Sequence, residues 1–188
     1  MRFMAIVVQG VLAAVLYGIV HDQITIRICP EYFTIAHPHI SDTRSLTLLA
    51  TMWGVIATWW VGLPLGIMIA LAGRVGRLPK LEPRRTWRWM MILLAVMGTL
   101  ALIAGGVAWM LELGGKLREQ AAWLAERIAP KMHDRFVAAY AMHLISYIVG
   151  AIGGVALAVM AIAWRYRESV RIASETSETV RTPTAPSS

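Results

Sequence analysis

The chain has little charge and almost no cysteine. Of its 188 residues, 15% are charged and one, Cys29, is a cysteine. A single thiol excludes an internal disulfide framework, a four-cysteine zinc site, a CxxC redox pair and the paired cysteines of a quinone-linked thiol oxidase. Ten-residue segments of alternating polarity are missing as well, which excludes a transmembrane β-barrel. What is there is apolar: 57% hydrophobic residues and a mean hydropathy of +0.59. Soluble domains run at about 45–50% apolar and about 25% charged. The composition therefore excludes a soluble domain and a disordered or collagen-like chain, and it predicts a membrane protein whose first partner is the lipid bilayer.

Four uncharged stretches, about residues 4–20, 46–72, 89–111 and 136–164, match the roughly 20 helical residues that cross a hydrocarbon core. Backbone groups cannot stay unpaired in lipid, so each is predicted to be a helix. The fold class that follows is all-α, an antiparallel four-transmembrane-helix bundle. The net charge of +7 would point to nucleic acid in a soluble protein. Here its placement explains it, and no nucleic-acid partner is expected. Of 18 basic residues 15 are Arg, and six basic residues fall between Arg74 and Arg88. With both termini and residues 73–88 on one side, that side carries 11 basic and 4 acidic residues. The loops 21–45 and 112–135 carry 7 of each. The positive-inside rule then predicts both termini in the cytoplasm. The first span ends Leu16-Tyr17-Gly18-Ile19-Val20-His21, with no small-x-small cleavage pattern, so it is expected to be a retained helix. Residues 1–171 form the predicted membrane domain. Residues 172–188 are polar and lack core formers, so a disordered cytoplasmic tail is expected.

Small residues and proline mark particular positions in these spans. Gly62-x-x-x-Gly66 is a pattern for close helix crossing. Pro64 is expected to kink the second span. Residues 116–128 carry leucine, alanine and isoleucine at helical spacing and predict a short amphipathic helix.

Histidine is the informative residue. All five, His21, His37, His39, His133 and His143, lie in or just beneath the two predicted outer loops. Each loop carries a His-Asp pair, His21-Asp22 and His133-Asp134, at a predicted helix boundary. The first loop adds Arg27, Cys29, Glu31 and Asp42, and alternates Ile24, Ile26 and Ile28. It reads as an ordered cap with short extended segments pressed onto the helix ends. In the fourth span His133, Phe136, Tyr140, His143 and Tyr147 are spaced 3, 4, 3 and 4, which places them on one helical face. A titratable group at the depth of His143 is expected to face the bundle interior, and Tyr140 and Tyr147 with it. Tyr17, four residues before His21, presents the same chemistry on the first span.

The segment YGIVHDQITIRICPEYFTIAHP, with WGVIATWWVG in the second span and RFVAAYAMHLISY opening the fourth, resembles a family of small uncharacterised bacterial four-span membrane proteins. The likeness covers most of residues 17–150. It implies a bacterial inner-membrane protein and supplies no mechanism.

Several chemical readings of the polar residues stay open. The first is a structural or partner-binding membrane protein, with a membrane-protein partner or a second copy of itself, whose outer face is a hydrogen-bonded His/Asp cluster with Arg27 and Arg135 in support. The second is a divalent transition-metal cofactor, with His21, His37, His39 and His133 as candidate ligands. A proton or ion pathway would run through His143, the only histidine within a span. A bis-histidine haem would need a second one facing it. No linear motif sets a nucleophile beside a base, so no catalytic residue is assigned. All readings share one expectation: the first and last helices of an up-down bundle are neighbours. His21, Asp22, His133 and His143 should therefore meet, with Asp134 beside them and Glu31, His37 or His39 joining.

Overall fold

The computed structural model describes residues 1–115 and 127–181, with side chains through residue 177. It is a four-helix membrane bundle, and among the described residues there is no strand. The elements are α1 (Arg2–Ile28), α2 (Pro30–Thr34), α3 (Leu46–Ile56), α4 (Trp59–Arg74), α5 (Pro83–Leu113), a 3-10 turn (Pro130–Met132) and α6 (His133–Arg181). Four segments are long and apolar enough to span a membrane: α1, α3 with α4, α5, and the turn with α6. The end holding α2 and the turn is called the upper end here. The end holding the N-terminus and residues 75–82 is the lower.

α1 shows why the bundle assembles as it does. Met4, Val8, Leu12, Leu16, Val20 and Ile24 recur every four residues and are exposed, which makes a lipid-facing stripe. The opposite face is buried and small, with Gly10, Ala13 and Gly18, then His21, Asp22, Thr25 and Ile26. α1 packs on α3 and α4 along that face, α5 packs on α6, and α4 meets α6.

The glycines set the first of these contacts. A Cβ on Gly62 would lie 2.6 Å from the Gly10 carbonyl oxygen, and one on Gly10 would lie 2.6 Å from the Gly66 Cα. Higher up, a Cβ on Gly54 would lie 2.5 Å from the Ile19 nitrogen. The close crossing predicted from Gly62-x-x-x-Gly66 is present, and Gly10, Gly18 and Gly54 extend it over most of the span.

The second span breaks at Ala57–Thr58, and Pro64 sits inside α4. The break lies before Pro64, where the Thr58 hydroxyl donates to the Gly54 carbonyl at 2.5 Å and the Thr58 N–H turns to Val55 at 3.3 Å. A side chain has taken the acceptor that an unbroken helix would use.

Two boundaries differ from expectation. α1 continues to Ile28, so the isoleucines expected in an extended segment are helical, and only Ile26 of the three is buried. The burial of Gly18, His21, Asp22, Thr25 and Ile26 follows helical spacing, which outweighs the short alternation. The next segment, 30–34, is a helix as well. At the other terminus α6 is helical through Arg181, where a disordered tail was expected from residue 172. Arg171 pairs with Glu168 at 2.5 Å and Glu175 at 2.9 Å, and such i,i+3 and i,i+4 pairs sustain a solvated helix. The amphipathic helix expected at 116–128 lies outside the described residues, apart from its last two positions.

The lower end is held by Arg165 of α6. Its guanidinium, 3% exposed, donates to the carbonyls of Ala72 (2.6 Å), Val75 (2.8 Å), Leu78 (3.1 Å) and Pro79 (2.8 Å). These oxygens are the unpaired end of α4 and the turn after it, which a cation caps well.

Gly62→Ala should lower the Tm of the detergent-purified protein by an amount corresponding to about 1–3 kcal/mol of overpacking. Gly106→Ala is the control, because a Cβ there has no neighbour within 4 Å. Equal Tm values for the two variants would contradict the close crossing.

Candidate functional site

Where α1 and α6 meet beneath α2, near the upper end, they bring His21, Asp22 and His143 together. One ligand-type atom from each lies within 4.8 Å of the others, and all three residues are buried. The rings of His21 and His143 stand edge to face at 4.6 Å between centroids. Tyr32 of α2 closes the group from above, 4.4 Å from the His143 ring.

The hydrogen bonds fix the proton of one ring. His143 Nδ1 lies 2.8 Å from the Ala139 carbonyl and must donate to it. In the uncharged ring Nε2 is then an acceptor, and it points at Asp22 Oδ1 from 3.3 Å. The Ser146 hydroxyl lies 2.8 Å from the Met142 carbonyl and 2.7 Å from Tyr17 Oη, which in turn stands 3.4 Å from His21 Nδ1. His21 Nε2 is buried and without a partner. Three ligand-type atoms thus converge in the interior.

Such an arrangement calls for a positive charge. A proton on His143 Nε2 would satisfy the pair with Asp22 but leave His21 Nε2 without a partner. A metal ion would satisfy all three. Among the described residues no lysine or arginine side chain lines the adjoining cavity to neutralise Asp22. A buried carboxylate without compensation costs several kcal/mol.

The cavity has a volume of about 310 Å³. It runs downward from the group between α1, α4, α5 and α6. Its upper part is lined by Tyr17, His37, Trp53, Thr58 and Tyr147, and its lower part by glycines, alanines, leucines and methionines. Trp53 Nε1 is a further buried polar atom without a partner.

The expected cluster is met in part. His21, Asp22 and His143 converge. His37 joins as a wall residue: its Nδ1 binds the Tyr32 carbonyl at 2.8 Å and its ring stands 4.7 Å from Trp53. Burial depresses its protonation below the ordinary histidine range. His133 does not join. Its Nε2 binds the Ile128 carbonyl at 2.8 Å, and Asp134, beside it, lies outside the group with it. The reason is depth. α1 continues seven residues beyond His21, so that ring sits about 10 Å below the helix end. The matching level on α6 is His143, about 15 Å below His133.

The remaining candidates have other roles. His39 pairs with Asp42 at the exposed surface, 3.0 Å away. Glu31 accepts from Cys29 Sγ at 3.5 Å. Arg27 ties α1 to α3 through Gln23 and Thr47, and Arg135 is exposed. Of the α6 stripe Phe136 and His143 are buried. Tyr140 and Tyr147 are 45% and 53% exposed, and Tyr147 also lines the cavity. A 3-4 stripe is wider than the seam that two neighbouring helices can cover, so its flanks reach the surface. Sequence reasoning missed Ser146 and Tyr32. Ser146 stands three residues from His143, on the same face, and that spacing was the available signal.

No family model, no curated protein and no solved structure matches the chain.

Cys29 is fully buried, and that burial pushes its thiol up to about 11. A raised value leaves the neutral thiol dominant, so at pH 8 about a hundredfold less thiolate is present than in a free thiol of pKa 9.0. Maleimide should label the folded protein slowly at pH 8 and the denatured protein rapidly, with the folded rate rising toward pH 11. Rapid labelling of folded protein at pH 8 would contradict the burial.

Proposed function

We propose that the protein binds a divalent transition-metal ion at His21, Asp22 and His143. The convergence of three buried ligand-type atoms, one of them the orphaned His21 Nε2, carries this reading. Two imidazoles and a carboxylate suit zinc, copper, nickel or iron. His143 has its Nδ1 committed elsewhere, to the Ala139 carbonyl, which is how an outer partner orients a ligating histidine. The 3.3 Å between His143 Nε2 and Asp22 Oδ1 fits the edge of a tetrahedron with arms of about 2.0–2.1 Å. Three protein ligands leave a fourth position open, and the cavity lies beside the group. Ions that act on a bound molecule keep such a position, whereas structural zinc sites are closed.

The lower end belongs in the cytoplasm and the metal group near the opposite face. The balance of 11 basic and 4 acidic residues at the lower end, against 7 and 7 at the upper, supports this orientation. The resemblance to small bacterial four-span proteins supports the bacterial inner membrane as the location.

Elemental analysis of protein purified without chelator should find about one transition-metal ion per chain, and Asp22→Asn and His143→Ala should each reduce it to near zero. Wild-type protein that carries none, and whose Tm does not rise with added zinc or cobalt, would leave the group a purely structural network. A reporter fused after Ser188 should read as cytoplasmic, and a periplasmic reading would reverse the orientation.

A further inference from the structure

We propose that the cavity below the metal group binds a lipid quinol, with its ring at the upper end and its chain in the apolar part. The proposal deepens the reading of the same group as a ligand site. It relies on that reading only for what one head oxygen meets, a bound ion or His21 Nε2 itself.

The mouth fixes the route of entry. Among the cavity-lining residues, Trp60 and Pro64 of α4 and Tyr147 and Ala151 of α6 are exposed. They lie within two membrane-spanning segments, so the opening between α4 and α6 faces lipid. A ligand that enters here arrives dissolved in the bilayer.

The polar atoms fix the head. Trp53 Nε1–H is buried and unpaired and needs an acceptor, and His21 Nε2 is buried and unpaired as well. Both residues line this one cavity. A hydroxyl or carbonyl oxygen answers the first, and a hydroxyl or metal-bound oxygen answers the second. Without a bound ion, charge disfavours an anionic head, because Asp22 is present and no lysine or arginine is among the described residues of the wall. A phosphate or fatty carboxylate would stand beside a carboxylate with no side-chain counter-charge. Shape selects among neutral heads: the upper part is walled by the rings of Tyr17, His21, His37, Trp53, His143 and Tyr147. Flat aromatic walls favour a planar ring over an aliphatic alcohol. A volume of about 310 Å³ accepts the ring and the first part of a chain, and the rest can leave through the lipid-facing mouth.

The test uses the whole protein in lipid nanodiscs, with a decyl-chain benzoquinol as probe and farnesol and palmitate as competitors. The quinol should bind saturably and raise the Tm. Ala151→Phe, which narrows the mouth at an exposed position, should weaken binding about tenfold or more. Trp53→Phe, which removes one N–H, should weaken it about tenfold. Farnesol and palmitate should compete at least tenfold less well than the quinol itself. Thermal unfolding without ligand reports whether each variant folds, and Ala151→Phe decides the matter if Trp53→Phe does not. Non-saturable binding, unchanged affinity in Ala151→Phe, or equal competition by farnesol or palmitate would overturn the proposal. Chelator-treated protein separates the two readings. Quinol binding by a protein that never carries metal removes the metal reading alone, and a metal-loaded protein that binds no quinol removes this one alone.

Discussion

The bundle depends on the absence of side chains where α1 crosses α3 and α4. Lipid offers no hydrophobic incentive for helices to associate, so contact has to come from close packing. At Gly10, Gly18, Gly54, Gly62 and Gly66 backbone meets backbone at distances that a single methyl group would forbid. This contact holds the inner face of α1 at a fixed rotation. The same rotation that points glycines at α3 and α4 points His21 and Asp22 toward α6 at the level of His143. The polar group is thus a consequence of the apolar packing beneath it.

Two opposite polarity patterns share the interior. The lower part of the cavity is apolar and asks nothing of a ligand beyond shape. The upper part holds a carboxylate, two imidazole nitrogens and one free indole N–H. Low local dielectric strengthens every interaction such groups make and raises the cost of those they fail to make. A conventional core would have paired these atoms with each other. Here the Ala139 carbonyl holds the His143 proton on the far side of its ring, and His21 Nε2 and Trp53 Nε1 find no partner.

Most of the fold was legible in the sequence, because the need to pair backbone groups in lipid leaves one solution for a long uncharged stretch. His143 facing inward and its meeting with His21 and Asp22 were legible for the same reason: a titratable group in a span has nowhere else to go. The boundary of α1 was not. Charged and polar residues after Val20 look like the end of a span, yet a helix leaving the membrane keeps its hydrogen bonds and stops only where Pro30 enforces it. That error of two turns carried His133 into the predicted site in place of a deeper partner. The unmet N–H of Trp53 is a property of the space around it, which no linear pattern records. Arg165 looked like one more positive-inside charge, and its burial depends on a turn some ninety residues away.

That arginine bears on how the chain is made. The carbonyls of Ala72, Val75, Leu78 and Pro79 leave the ribosome long before their donor does, since Arg165 follows them by 86 to 93 residues. Until the fourth span is in place these four carbonyls lack that donor, although within the turn Arg74 reaches the Leu81 carbonyl and the Leu81 N–H the Gly73 carbonyl. The last helix to be synthesised both supplies His143 and locks the turn that precedes α5, so the polar group cannot form ahead of the finished bundle.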